Sequence, residues 1–118
     1  MPYYLVEFSY TKEAVAALVQ NPHNRIETVR SALEEHGVTI RHSWLAFGEH
    51  DVLVVLEAPD NVRVATISLV ITAGGADENL KTTPLMTWEE GVEPMRAAGS
   101  SSYRPPVEPA HEGPVVSE

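Results

Sequence analysis

Apolar residues alternate with polar ones at the start of this chain and then recur at helical spacing. Tyr3–Tyr10 is rich in aromatic and β-branched residues, a composition that predicts a strand. Lys12–Gln20 follows Thr11, a residue type that caps helices well, and its apolar positions have the spacing of a helix face. The chain therefore begins with a strand and a short helix.

A second helix is predicted to begin at Asn21, which can cap it, with Pro22 in its first turn. It should end near Gly37, because glycine accepts the left-handed conformation that follows many helix ends. Residues 38–47 then predict a second strand, and residues 48–51 predict the tight turn after it.

Val52–Glu57 is the third predicted strand, and its five consecutive apolar residues indicate burial on both faces. Pro59 and Asp60 end it. The next segment, Asn61–Ala73, is ambiguous, because seven of the eleven residues 62–72 are β-branched and favour a strand. Its length, the Asp60 cap before it and the glycines after it favour a helix, which is our prediction.

The last predicted strand covers residues 79–88, and Pro84 within it indicates a sheet edge or a bulge. A short helix over residues 89–97 completes the predicted domain, which covers residues 1–98. Residues 99–118 are mostly Ser, Pro, Gly and Glu and have little to bury, so we expect disorder there.

The predicted order of elements is βαββαβ, the ferredoxin-like arrangement of the α+β class, with four antiparallel strands and helices on one face. Alternation divides the second strand into Ile40, His42, Trp44 and Ala46 on one face and Thr39, Arg41, Ser43, Leu45 and Phe47 on the other. Both faces of the sheet carry apolar residues, but helices cover only one. We therefore predict a homodimer, or a larger assembly of dimers, in which two sheets pack face to face as a dimeric α/β barrel.

The composition excludes several classes of function. The chain has no cysteine, which excludes disulfides, thiolate catalysis and cysteine-bound zinc. Its formal net charge is −9, and an acidic surface repels phosphates, so we expect neither nucleic acid nor a membrane as a partner. No apolar run could span a bilayer, and the first residues lack the basic region of a signal peptide, so a cytoplasmic location is expected.

The residues around the predicted turn resemble a known family. Gly48, Asp51 and the Glu-Ala-Pro-Asp at 57–60 match the signature of the GYD-domain family, small bacterial and archaeal proteins of the dimeric α/β-barrel superfamily. The later LMTWEEGVEPM is also similar to the end of that family's domain. The resemblance covers residues 2–98 and departs at His50, where the family has tyrosine. It implies the fold and the dimer, but no reaction, because the family has no agreed one.

The motif residues also have ordinary structural explanations. Gly48 is expected to supply the positive φ of a tight hairpin. Asp51 is expected to accept hydrogen bonds from turn amides, and Asp60 to cap the next helix. On this interpretation Gly48, His50, Asp51, Pro59 and Asp60 are a structural motif.

A pocket, either between helices and sheet or between two paired sheets, is the main candidate site. The candidate lining residues are Tyr4, Phe8, Arg41, Trp44 and Trp88. His42 near Glu7 is the candidate catalytic base, since a carboxylate orients an imidazole. The alternative is that the aromatic residues are core and that His42 is a hydrogen-bonded packing residue.

Other site chemistry has little support in the sequence. Glu49 and Asp51 lie beside His50, but no His-x-His or His-x-x-x-His spacing is present, so no metal is predicted. No serine lies in a nucleophile elbow and no phosphate-binding loop is present, so no cofactor is predicted either.

Two functions stay open, and the sequence does not decide whether the protein is an enzyme. The first is a homo-oligomeric module that binds a small apolar or aromatic molecule, or that serves for assembly. The alternative is a cofactor-independent enzyme, similar to monooxygenases or isomerases, that acts on a small organic substrate in the barrel cavity. The alternative depends on analogy of fold.

Overall fold

A computed structural model describes residues 1–106 and confirms the predicted α+β fold. Its elements are β1 (Tyr3–Tyr10), α1 (Lys12–Gln20), α2 (Arg25–Glu34), β2 (Thr39–Leu45), β3 (Val52–Glu57), α3 (Asn61–Ala73), β4 (Asp77–Leu85) and α4 (Trp88–Gly99). The strands form one antiparallel sheet in the order β2-β3-β1-β4, as in a ferredoxin-like fold. No helix within these described residues is long and apolar enough to cross a membrane.

The described residues divide into two compact units, Met1–Met86 and a second that begins at Thr87. The first contains the sheet and α1 to α3. In the second, the Thr87 hydroxyl accepts from the Glu90 amide at 3.0 Å, and the Glu90 carboxylate accepts from the Thr87 amide at 2.8 Å. This capping box starts α4 at Trp88, so the predicted last strand ends too late. Residues 107–118 of the predicted disordered tail lie outside the described residues.

The core lies on the face of the sheet that α2 and α3 cover. Alternate residues of β1 and β3 point to this side, because successive side chains of a strand point to opposite faces. The buried cluster is entirely apolar in character: Tyr4, Val6, Phe8, Leu33, Val38, Ile40, Val52, Val54, Leu56, Ala58, Val64 and Ile67. α1 contributes no fully buried residue, so it is the most weakly packed helix of the first unit.

Helix α2 begins three residues later than the expected first turn at Pro22. The Asn24 side chain caps it by accepting from the Ile26 amide at 3.2 Å. Asn21 instead closes α1, because its amide donates to the Ala17 carbonyl at 3.0 Å. The prediction that Asn21 caps α2 is therefore wrong, whereas the Asp60 cap of α3 is confirmed by its bond to the Arg63 amide at 3.0 Å.

A β-bulge interrupts β2. Ile40 pairs with the buried Leu56, but the next paired residue is His42, opposite Val55. β2 therefore has one residue more than β3 in this stretch, and Arg41 is the extra one. An extra residue of this kind reverses the faces of everything that follows it on the strand.

The bulge overturns the predicted division of β2 into faces. His42 and Trp44 lie opposite Val55 and Leu53 on the side away from the helices, whereas Ile40 lies on the helix side. The expectation that Ile40, His42 and Trp44 share a face is wrong, because strict alternation has no place for the inserted residue.

The connection between β2 and β3 spans residues 46–51 and does not use Gly48 as expected. Within the described residues, the glycines with positive φ are Gly37 at 75° and Gly75 at 79°. A longer connection does not need the two positive-φ residues of a two-residue hairpin. The prediction for Gly48 is therefore wrong, whereas Gly37 takes the left-handed conformation expected after α2.

Candidate functional site

We call the side of the sheet away from the helices the open face. On β1 and β3 its side chains are the half-buried partners of the buried core residues. Three of them, Leu5, Leu53 and Val55, lie next to one another at its centre, and we call them the apolar strip. The pairing places Tyr3, Glu7, Ser9, His42, Trp44, Glu57, Lys81, Thr83 and Leu85 around it.

His42 and Trp44 form a stacked pair at the β2 edge of this face. Their ring centroids are 5.6 Å apart and their planes differ by 15°. Both residues are exposed, and 57% of the Trp44 surface is accessible. Two nearly parallel, exposed rings at a sheet edge offer an aromatic surface on which another planar group can stack.

Glu7 and His50 form the second feature of the open face. His50 Nδ1 lies 3.8 Å from Glu7 Oε2, and the two side chains are only 12% and 19% exposed. The hairpin carries His50 over β1, where the Ser9 hydroxyl donates to the Glu49 carbonyl at 3.4 Å. A carboxylate close to one imidazole nitrogen can orient the ring and leave the other nitrogen for proton transfer.

The structure does not bring His42 and Glu7 together as the sequence suggested. His42 lies opposite Val55 and Glu7 lies opposite Leu53, and β3 runs between their strands. Two inter-strand spacings separate them, roughly 10 Å. The histidine beside Glu7 is His50, which sequence reasoning had placed in a structural turn.

Arg41, the residue inserted by the bulge, is held by an ion pair. Its Nε donates to Glu57 Oε1 at 2.7 Å. The hydrogen bond to Glu57 and the charge of that carboxylate raise the pKa of Arg41 above its usual value. The ammonium of Met1 lies 3.9 Å from the other oxygen of Glu57. Arg41 is therefore already paired, although it was expected to line a pocket.

Tyr4 and Phe8 lie on the face that the helices cover, which we call the covered face, whereas Arg41, His42 and Trp44 lie on the open face. The Tyr4 hydroxyl donates to Asn61 Oδ1 at 2.6 Å, and Phe8 is 7% exposed in the core. The predicted lining residues are thus divided between two sides of the sheet, and they do not line a single pocket. Trp88 begins α4 in the second unit, where it is exposed.

Asp51 connects the hairpin to β1. Its carboxylate accepts from the Tyr10 amide at 3.0 Å, and its own amide donates to the Phe8 carbonyl at 3.0 Å. These partners lie on the neighbouring strand β1. Asp51 was expected to bind amides of its own turn, and it binds β1 instead. Asp51 extends the β1–β3 ladder by one side-chain bond where the regular pairing ends.

The GYD domain family model matches residues 4–93. The chain belongs to the GYD-domain family. The match extends over all four strands and into α4, so it confirms the resemblance that the residues around Asp51 carry. Comparison with curated proteins finds no significant match, and comparison with solved structures finds none either.

The first unit of the GYD domain also has two surface grooves. One, of about 490 Å³, lies between α3 and β4 and is bordered by Leu69, Leu80 and Pro84. The other, of about 480 Å³, lies where the α1–α2 connection passes the end of β2. Neither groove can be read from the spacing of residues along the sequence, because each is formed by segments that are distant in sequence.

Metal-binding side chains do not cluster in the described part of this GYD domain. Across residues 1–106 there is no group of three or more His, Asp or Glu side chains close enough to hold one ion. Glu7 and His50 form a pair, and a typical protein zinc site uses three or four converging ligands.

Proposed function

We propose that this GYD-domain protein is a homodimeric binding module whose two open faces pack together and hold a small apolar or aromatic molecule. The observation that carries the proposal is the apolar strip, Leu5, Leu53 and Val55, which lies across the sheet from the core helices of Met1–Met86. A sheet with apolar side chains on both faces needs a packing layer on each. A second copy of the same sheet supplies the missing layer.

The charges of the open face are compatible with such a layer. Arg41 is paired with Glu57 within one chain, and Glu7, on the other side of the apolar strip, has His50 at 3.8 Å and Lys81 as its cross-strand neighbour. Burying a charge is costly unless it is paired. Because these pairs are internal, a second copy can cover the face without supplying partners for them. Two-fold symmetry then brings the same patch of each copy together.

The stacked rings of His42 and Trp44 identify the part of the interface suited to a ligand. They border the apolar strip at the β2 edge and are exposed in the single chain. Stacking of aromatic rings contributes about 0.5–1.5 kcal/mol beyond the area that is buried. A planar ring inserted between this pair and the facing sheet is therefore the kind of ligand proposed.

The assembly is tested by introducing a charge into the apolar strip. Leu53→Glu places two carboxylates in a symmetric apolar interface, so light scattering should report a dimer for the wild type and a monomer for the variant. Val19→Glu is the matched control, because Val19 is 68% exposed on α1, outside the sheet. Circular dichroism verifies that both variants fold. A monomeric wild type at micromolar concentration would refute the dimer.

The ligand is tested by native mass spectrometry of the protein as purified. A discrete adduct on the dimer, lost in His42→Ala and retained in His36→Ala, supports binding at the stacked pair. Trp44 offers a second test, since Trp88→Phe leaves it as the sole tryptophan of the chain. Acrylamide should quench Trp44 less in the dimer than in a dissociated sample; equal quenching contradicts a buried open face.

A second candidate function, cofactor-independent proton transfer, is favoured by the Glu7–His50 pair. Both side chains are largely buried beside the apolar strip, and Lys81 is the cross-strand neighbour of Glu7 on the same face. In this candidate, His50 takes a proton from the carbon next to a carbonyl and returns it to the enolate oxygen, so keto and enol forms interconvert. The Lys81 ammonium stabilises the enolate charge.

Phenylpyruvate is a suitable probe for this candidate, because its keto and enol forms differ in ultraviolet absorbance. The wild type should accelerate the interconversion above the buffer rate. His50→Gln and Glu7→Gln should lose the acceleration, whereas His36→Gln should keep it. A wild-type rate equal to buffer removes this candidate and leaves the binding module unaffected.

A further inference from the structure

The groove beside the α1–α2 connection combines apolar walls with unused polar groups. We call it the connection groove; it lies within the first unit, and its volume is about 480 Å³. Small-molecule sites usually fall between about 300 and 1,000 Å³ and are mostly apolar with a few polar groups. Its apolar walls include Leu18, Pro22 and Leu45.

Arg25 is the first notable polar group of the connection groove. Three of the four arginines in residues 1–86, Arg30, Arg41 and Arg63, donate side-chain hydrogen bonds to a carboxylate or a carbonyl. The lining residue Arg25 donates none and forms no ion pair to any residue that the structure describes. A guanidinium has five N–H donors arranged to bind a carboxylate.

Tyr10 adds a donor to the same groove, and His23 also lines it. His23 Nδ1 lies 2.8 Å from the Asn21 carbonyl, which can only accept, so Nδ1 carries the hydrogen and this donor is already used. Burial, and next the charge of Asp77, raise the pKa of Tyr10, so its hydroxyl stays protonated and can donate.

Asp77 is a carboxyl group whose pKa responds to the charge of Arg25, and it would favour the opposite kind of ligand. Burial raises the pKa of Asp77, and the Arg25 charge partly offsets that rise. No hydrogen bond in the described residues satisfies its buried Oδ1. If Asp77 rather than Arg25 governed the groove, the groove would favour a cation.

We propose that the connection groove binds a small organic acid, with its carboxylate on Arg25 and its apolar body against Leu18, Pro22 and Leu45. The site is complete in one chain. It adjoins the ligand space proposed between two open faces, because Trp44 at the β2 edge lines this groove and also belongs to the stacked pair.

The test is an amide ¹H–¹⁵N NMR titration of the full chain with three probes of similar size: sodium benzoate, benzyl alcohol and benzylamine. Benzoate should produce saturable shifts at residues 23–26 and 43–45. The alcohol should bind about tenfold more weakly, a difference of about 1.4 kcal/mol for the lost charge. Benzylamine should bind most weakly. Stronger binding of benzylamine, or benzoate shifts only elsewhere, overturns the proposal.

Variants identify the group that recognises the carboxylate. Arg25→Gln should raise the benzoate Kd about tenfold or more, and Arg25→Lys should restore part of the affinity. Lys12→Gln is the matched control, because it removes the same charge from an exposed position of α1 that does not line the groove. Equal loss in Lys12→Gln would mean non-specific attraction. Leu53→Glu should retain benzoate binding, which separates this site from the proposed dimer.

Discussion

The two faces of the sheet are made from the same strands but have opposite properties. On the covered face, Val54 and Leu56 are almost inaccessible, and the described part of the chain buries no charged residue. On the open face their neighbours Leu53 and Val55 are only half-buried, and they are flanked by the Arg41–Glu57 ion pair and the Glu7–His50 contact. One strand therefore builds the core with one set of residues and presents the other set to the interface that we propose.

Alanine substitutions on β3 give the largest expected contrast between the faces. Leu56→Ala should lower the free energy of unfolding by about 2–5 kcal/mol, because Leu56 is 1% exposed and a cavity remains. Leu53→Ala should cost about 1 kcal/mol in dilute protein. Urea unfolding measures both.

Protein concentration sharpens the same contrast. If open faces pair, the cost of Leu53→Ala should grow as the concentration rises, because association stabilises only the folded state. The cost of Leu56→Ala should not follow concentration in the same way. Equal costs for both residues in dilute protein would contradict the distinction between the faces.

The hairpin that borders the open face should depend on Asp51. Asp51→Ala leaves the Tyr10 amide without its acceptor, so we expect a loss of about 1–3 kcal/mol. Asp51→Asn keeps one side-chain oxygen and should cost less. Hydrogen exchange at the Tyr10 amide reports the bond directly, and unchanged protection in Asp51→Ala would show that the bond is not formed in solution.

Substitutions at two glycines distinguish a position where positive φ requires glycine from one that merely lies in a loop. Gly37→Val should cost roughly 1–2 kcal/mol, because φ is 75° at Gly37 and a side chain is unfavourable there. Gly48→Val should change stability by less than about 0.5 kcal/mol, since an added Cβ meets nothing within 4 Å. Thermal melts compare the two; a larger loss at Gly48 would reverse the assignment.

Asp77 gives the smallest expected effect, and it depends on pH. Burial raises its pKa, so the folded protein binds this proton more readily than the unfolded chain does. Stability therefore falls as pH rises from the ordinary value of 3.8 through the raised value. Asp77→Asn should raise Tm by about 1–3 °C at neutral pH and lose that advantage in more acidic solution. A gain that is independent of pH would exclude this cause.

The sequence predicts best where one local rule decides the structure. β1 and β3 were placed correctly because their runs of strand-forming residues end at turn residues. α3 was predicted correctly because the Asp60 cap before the segment and the glycines after the segment were better indicators than its β-branched composition. Trp88 was assigned to a strand, although Thr87 and Glu90 have the spacing of a capping box and predict a helix start.

The candidate site was harder to predict because it depends on two tertiary features. No residue type around Arg41 distinguishes a bulge from regular alternation, so His42 and Trp44 were given the wrong face partners. The proximity of His50 to Glu7 requires the hairpin to fold back over β1, across 43 positions of sequence. Neither the bulge nor the contact between His50 and Glu7 can be inferred from the spacing of hydrophobic residues along the chain.

The bulge at Arg41 has an evolutionary consequence. Both Arg41 and His42 lie opposite Val55, so deleting Arg41 would restore regular pairing and leave His42 and Trp44 on the side of the sheet where they lie now. A loss of one codon at this position therefore removes the bulge without moving the aromatic surface, whereas a one-codon insertion in a regular β2 would turn every later side chain to the other side. GYD-domain proteins that lack a residue at this position should accordingly present their aromatic residues on the same side of the sheet as this chain.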